Sequence, residues 1–345
     1  MQSKSTVRAE IEKMCTIFGA NSLLVQGAGG NVSWKEEDIL WIKASGTWLS
    51  DASVEDIFIP ADLSYLRTAI NEGRFDVSPL VTNETTLRPS IETLIHALMP
   101  QRIVIHLHAI DVLSHLVRDD CDIILKKMLP KDFSFVLVDY CKPGADLARN
   151  VYNKIQSYDV DVSVVFLLNH GLVIAGESVD EVTTTLNFIL EKLKSDIYVS
   201  DLVDLPVIEL NTIQRLNKHG YIPAKLSRFN ALSVHPNLSY MVEKKWAMFP
   251  DHVVFLGPKA LIGDCDFLEN HLASNENLRP AFIFCKNVGT FQHNSLSRAQ
   301  LDQLSCFYDV AIRQNSLSNI LLLSPHSIED LLDWDAEVYR QNISK

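Results

Sequence analysis

His106 and His108 stand two residues apart in the apolar run Arg102 to His108 (RIVIHLH), which reads as a buried strand. Side chains at i and i+2 of a strand share one face, so these two imidazoles can share one metal ion. His170 lies in Asn169-His170-Gly171, a tight turn between two apolar runs. A strand end of that kind can set a third imidazole beside the pair. Three neutral imidazoles with one open coordination position make a catalytic Zn²⁺ site that polarises a carbonyl. The plain alternative for so short a pattern is a set of hydrogen-bonded core histidines.

Glu92 stands on the helical run just before that strand, with His96 one turn later on the same side. A carboxylate at a metal face acts as general base or acid, provided partial burial raises its pKa. An exposed helical pair is the alternative. Gly27, Gly29 and Gly30, followed by Asn31 and Ser33, allow close backbone approach and offer donors to an oxyanion. Ser45-Gly46-Thr47 offers a second such turn, and Lys43 and Arg88, close by in sequence, add charge. Neither loop is a Walker A or a dinucleotide fingerprint, and each alone can be just a turn.

The elements that must position these residues follow from the apolar periodicity. An amphipathic helix over 4–18 ends at Gly19, and the glycine-rich stretch leads into a strand at Ile39–Lys43. Ser90 is placed as N-cap of a helix over 91–98, which Pro100 stops. Helices over 109–117, 145–157 and 178–199 alternate with strands at 102–108, 135–138, 163–168 and 172–175. This pattern predicts an α/β (α+β) layer fold, helices covering a mostly antiparallel sheet. The acidic segment Ser200–Pro206 marks a boundary between units 1–203 and 204–345. Beyond it, Ile283 to Gly289 followed by a helix from Ser297 echoes Phe166 to Gly171 followed by the helix from Ser178. A degenerate second copy would then carry Val288 in place of His170, its chemistry lost. The second unit is accordingly expected to serve packing or assembly.

The chain's 345 residues are ample for one large or two moderate domains. A net charge of −12 argues against nucleic acid and anionic bilayers as partners. Six scattered cysteines without a C-x-x-C pair read as reduced thiols. With no apolar run long enough to span a membrane and no leader-like N-terminus, the expected location is cytoplasmic.

Taken in order, Gly-Asn-Val-Ser, Ser-Gly, Ser-x-Glu, His-x-His and Asn-His-Gly between residues 30 and 171 resemble the class II aldolase/adducin family, over about residues 5–200. The stretch Arg88 to His96 (RPSIETLIH) is most similar to the aldolase part of bifunctional rhamnulose-1-phosphate aldolase/dehydrogenases. The resemblance implies the three-layer class II aldolase fold and a homo-oligomer. It implies Zn²⁺ or another divalent metal on His106, His108 and His170, and Glu92 as the acid acting on the substrate proton. It further implies phosphate contacts at Asn31, Ser45, Gly46 and Ser90, although Ile91 replaces the second of two adjacent family serines. Lys43 or Arg88 can compensate for that loss. Tyr140, Tyr152 and Tyr221 are candidates for a second proton donor.

The expected activity is a divalent-metal-dependent lyase that cleaves a ketose or ketose phosphate by retro-aldol chemistry. The alternatives are a pentulose-phosphate epimerase or dehydratase on the same metal, a non-catalytic adducin-like assembly module, or a regulatory sugar-phosphate binder.

Overall fold

The computed structural model describes residues 6–158, 162–199, 207–275 and 279–343. Alternating residues dictate its first sheet. In Ile103–Leu107 (β4), Ile103, Ile105 and Leu107 pack into one apolar core and Val104 into another, so the strand is buried on both faces. Around it lie Asn31–Glu36 (β1), Ile39–Lys43 (β2), Phe58–Asp62 (β3), Val136–Val138 (β5), Val164–Leu167 (β6) and Gly171–Gly176 (β7). Among the described residues these make a seven-stranded sheet, β3-β2-β1-β4-β7-β6-β5. Every neighbouring pair is antiparallel except β5 and β6.

Helices Thr6–Gly19, Ile110–Leu116 and Val179–Lys192 contribute to the core on one face of this sheet, and Leu63–Asn71, Thr93–Leu98 and Ala145–Ile155 to that on the other. This is the expected arrangement of helices over a mostly antiparallel sheet. Two helix limits differ from the periodicity. The helix expected to run on to residue 199 stops at Lys192. Past it, Ser195 N–H donates to Asp111 and the Tyr198 and Val199 amides donate to Ile312 O, so tertiary partners take the backbone. The helix expected from Ile91 starts at Thr93, with Glu92 at its N-cap, and the Ser90 hydroxyl accepts from the Glu92 amide.

A second sheet holds Tyr221–Pro223 (β8), Leu261–Gly263 (β9), Phe282–Cys285 (β10) and Gly289–His293 (β11), in the order β8-β11-β10-β9. It repeats the arrangement β4-β7-β6-β5 strand for strand, with β9 and β10 parallel as β5 and β6 are. Asn169 and Asn287 adopt the same left-handed backbone, φ 55° and 59°, at the two equivalent turns. Gly171 pairs with Leu167 as Gly289 pairs with Cys285, and Val173 pairs with His106 as Phe291 pairs with Pro223. Register therefore sets Pro223 where His106 stands, Lys225 where His108 stands and Val288 where His170 stands. Glu209 caps the helix before β8 as Glu92 caps the one before β4. The expected boundary at 200–206 lies outside the described residues.

Helix Arg298–Ala311 packs on helix Ile110–Leu116, and residues of both units share one apolar core. Within it His252 is fully buried among Trp246, Phe249 and Phe307, with neither ring nitrogen hydrogen-bonded to a described residue. Burial pushes its pKa down to about 3, against about 6.5 in the unfolded chain. Below pH 6.5 the unfolded state takes up a proton that the folded state refuses, so this group lowers stability as pH falls towards 3. His252→Phe is expected to leave stability near neutrality little changed and to gain about 2 kcal/mol over the native chain at pH 5. Denaturant melts at the two pH values check this; parallel changes in both chains would contradict it.

Candidate metal centre

The antiparallel pairing of β1 with β4 sets Asn31 opposite His106 and Ser33 opposite Val104. Since Val104, His106 and His108 share a face, the helix Thr93–Leu98 that covers this face brings Glu92 and His96 over them. The turn between β6 and β7 delivers His170. Gly171 has to be glycine there, because a Cβ would lie 2.4 Å from Leu107 O and 3.1 Å from the His108 ring.

One ligand nitrogen from each of His106, His108 and His170 lies within 4.8 Å of the others, and all three rings are buried. His106 Nε2 and His108 Nε2 face each other at 3.0 Å. Behind them, His106 Nδ1 is 3.1 Å from Leu172 O and His108 Nδ1 is 3.4 Å from Asp251 Oδ2. Outer nitrogens facing acceptors leave the inner nitrogens with free lone pairs, the arrangement of metal-ligating imidazoles. Burial pushes His108 down to about 3 and His170 to about 4, so both are neutral at pH 7, the form that ligates. These residues fit a divalent ion.

Glu92 completes the cluster. Its Oε2 is 3.4 Å from His106 Nε2, and its Oε1, 3.5 Å from His170 Nε2, has no hydrogen-bond partner among the described residues. Asn31 Nδ2 donates to Oε2 at 2.7 Å, the Asn31 carbonyl accepts from His96 Nε2, and Ser33 Oγ meets His96 Nδ1 at 2.7 Å. This chain holds His96 neutral, its pKa pushed down to about 3 chiefly by burial. Burial raises the Glu92 carboxyl, while His106 and His170 when protonated, and the Asn31 amide, lower it below the usual carboxylate range. The net direction is down rather than the upward shift expected from the sequence, which leaves Glu92 as a carboxylate able to accept a proton.

A cavity of about 30 Å³ opens on this cluster, lined by Asn31, Lys43, Ser45, Gly46, Ser90, Ile91, Glu92, His108 and His170 among others. Lys43 is fully buried and donates to Ala28 O at 3.2 Å; burial, then Arg340, lowers its pKa to about 7. Arg88 is a correction: its half-exposed side chain does not line the cavity but pairs with Asp335 at 3.1 Å and stacks on Tyr339. The Asn31 amide is likewise engaged with Glu92 and His96 rather than held out to an anion. Tyr140, Tyr152 and Tyr221 do not line the cavity; Tyr221 donates to Pro280 O and Tyr152 packs on Phe75.

Two lining residues escape sequence reasoning. Asp251 and Arg340, from the second unit, enter the cavity, and Arg340 Nη2 donates to Asp251 Oδ2 at 2.6 Å. The second unit, expected to serve packing or assembly, thus also lines this cavity. Neither residue has a motif around it that signals the contact.

Residues 9–194 match the profile of the Class II Aldolase and Adducin N-terminal domain. The chain belongs to the class II aldolase and adducin family. Over 188 residues it is 26% identical to an uncharacterised oxidoreductase, YuxG, of Bacillus subtilis, a match covering 49% of this chain and 26% of that protein. The chain therefore spans about a quarter of the length of the curated relative it matches. Among solved structures, the N-terminal class II aldolase domain of a conserved Thermoplasma acidophilum protein is 26% identical, with TM-score 0.47 over 56% of this chain and 94% of that one. A sugar-phosphate aldolase from Thermotoga maritima is 17% identical, with TM-score 0.43 over 55% and 93%. The class II aldolase match ends near the last helix of the first unit, Val179–Lys192, and leaves the second unit unmatched. Among the described residues no helix is long and apolar enough to cross a membrane.

Proposed function

We propose that the chain is a divalent-metal-dependent lyase that cleaves a ketose or ketose phosphate by retro-aldol chemistry, with His106, His108 and His170 holding the ion. The observation that carries this reading is Glu92: a buried carboxylate between two ligand imidazoles, one oxygen anchored by Asn31 and the other without a partner. When bound, zinc or another divalent ion supplies a Lewis acid for negative charge developing at the substrate carbonyl. Asn31 and His96 fix the anchored oxygen of Glu92. As the C–C bond breaks, the free oxygen of Glu92, on the His170 side, takes the proton of the hydroxyl that becomes the aldehyde and returns it to the carbon beside the carbonyl. Lys43, Ser45, the Gly46 backbone and Ser90 receive the anionic or hydroxylated end of the substrate. Ile91 lines the same cavity without a hydroxyl, which favours a substrate gripped mainly by charge through Lys43.

Metal analysis followed by a screen of ketoses and ketose phosphates for aldehyde release tests the assignment. A divalent ion at one per chain and release of an aldehyde from a ketose substrate are expected. Epimerised or dehydrated product without aldehyde would replace the lyase reading with its sister chemistries, and a chain that takes up no metal would favour a non-catalytic module.

A further inference from the structure

The second unit carries Pro223, Lys225 and Val288 at the positions equivalent to the three ligand histidines. Yet it reaches back into the centre of the first unit. It does so through helices that lie outside the repeat. Helix Pro250–Leu256 is inserted between helix Pro236–Lys244 and β9, and it carries Asp251; the C-terminal helix Asp335–Ile343 carries Arg340.

Resting on the metal reading above, we propose that Asp251, clamped by Arg340, is a positioning residue for His108. It accepts the proton on Nδ1, fixes the ring so that Nε2 faces the ion, and lets the second unit set the affinity of the first unit's metal centre.

Three observations converge on this. Asp251 Oδ2 faces His108 Nδ1, the outer nitrogen, at 3.4 Å, and both side chains are buried. The same oxygen accepts from Arg340 Nη2 at 2.6 Å, while Nη1 of that guanidinium lies 3.3 Å from Glu337, so the carboxylate is held from behind in one orientation. Gly29 leaves the space in which they meet, since a Cβ there would lie 3.1 Å from both Asp251 Oδ2 and His108 Nδ1. A carboxylate on the far nitrogen of a ligand histidine fixes its tautomer and raises its basicity, and removal of such a partner costs about 10–100-fold in metal affinity. His106 has a backbone carbonyl in that role, Leu172 O. Among the three ligands, His108 is the one whose outer nitrogen faces a described side chain of the other unit.

The test uses the full chain, stripped of metal and titrated with Zn²⁺ and with Co²⁺. The native chain is expected to bind one ion. Asp251→Asn should still bind one ion, about 10–100-fold more weakly. Glu337→Gln, which leaves the carboxylate on His108 in place and alters only the far side of the clamp, should weaken binding less than Asp251→Asn does. Nitrogen-15 imidazole spectra of the metal-free chain should place the His108 proton on Nδ1 in the native chain and show mixed tautomers in Asp251→Asn. Unchanged affinity together with an unchanged His108 spectrum would overturn the proposal. If Asp251→Asn does not fold, Arg340→Lys, which keeps the charge and loses the fork, reads the same quantity: weaker binding supports the clamp and native affinity overturns it. A native chain that binds no ion would overturn the metal reading instead, and the His108 spectra would still decide whether Asp251 sets its tautomer.

Discussion

Alanine at His106, His108 or His170 is expected to weaken divalent-ion binding by more than about 100-fold, beyond what loss of an outer partner costs. The triple variant should bind none at stoichiometric ratio. The expectation rests on geometry: three buried nitrogens within 4.8 Å of one another, from one strand face and one turn. Each imidazole removed takes away one of the three ligand nitrogens, and Glu92, with one oxygen held by Asn31, has only its other oxygen to offer. Equilibrium dialysis against Zn²⁺, with circular dichroism to confirm the fold, measures the effect. A folded triple variant that keeps one ion per chain would mean that the cluster is a hydrogen-bonded core and that the metal sits elsewhere.

For Glu92 the expected loss is in rate. Glu92→Gln preserves shape and can still accept from the Asn31 amide through its carbonyl oxygen, so the fold and one bound ion should be retained. It removes the base, and turnover should fall by roughly 10²–10⁴-fold. Exchange of the ketone product's proton at the carbon beside its carbonyl with deuterated solvent should slow by the same factor, since proton transfer at that carbon is assigned to this carboxylate. Native turnover of a confirmed substrate by the glutamine variant would remove Glu92 from the chemistry.

What was legible in the sequence was local. A period of two placed His106 and His108 on one face, and Asn-His-Gly marked a tight turn, in which Asn169 takes up the left-handed backbone. The alternation of helices and short strands gave the layers, and the echo around Val288 has a counterpart in the second sheet's strand order. What was not legible depends on register and docking. That Asn31 would hold Glu92 follows from β1 pairing with β4 at one particular offset, which no local pattern specifies. The direction of the Glu92 shift depended on which groups met it in the interior. Arg88 was close in sequence to the loops it was to serve, yet its side chain runs outward to Asp335 and Tyr339. Asp251 and Arg340 are isolated charges in unremarkable contexts, and only the packing of one unit on the other gives them a role.

The Asn169-His170-Gly171 turn faces two ways. While His170 points into the imidazole cluster, the Asn169 amide donates to Met248 O at 2.8 Å and to Leu321 O at 3.2 Å in the second unit. The turn is therefore also a latch. Synthesis from the N-terminus makes all three imidazoles before Met248 and Leu321. The latch closes only after the second unit has docked, so the final geometry of the cluster is set late in the making of the chain.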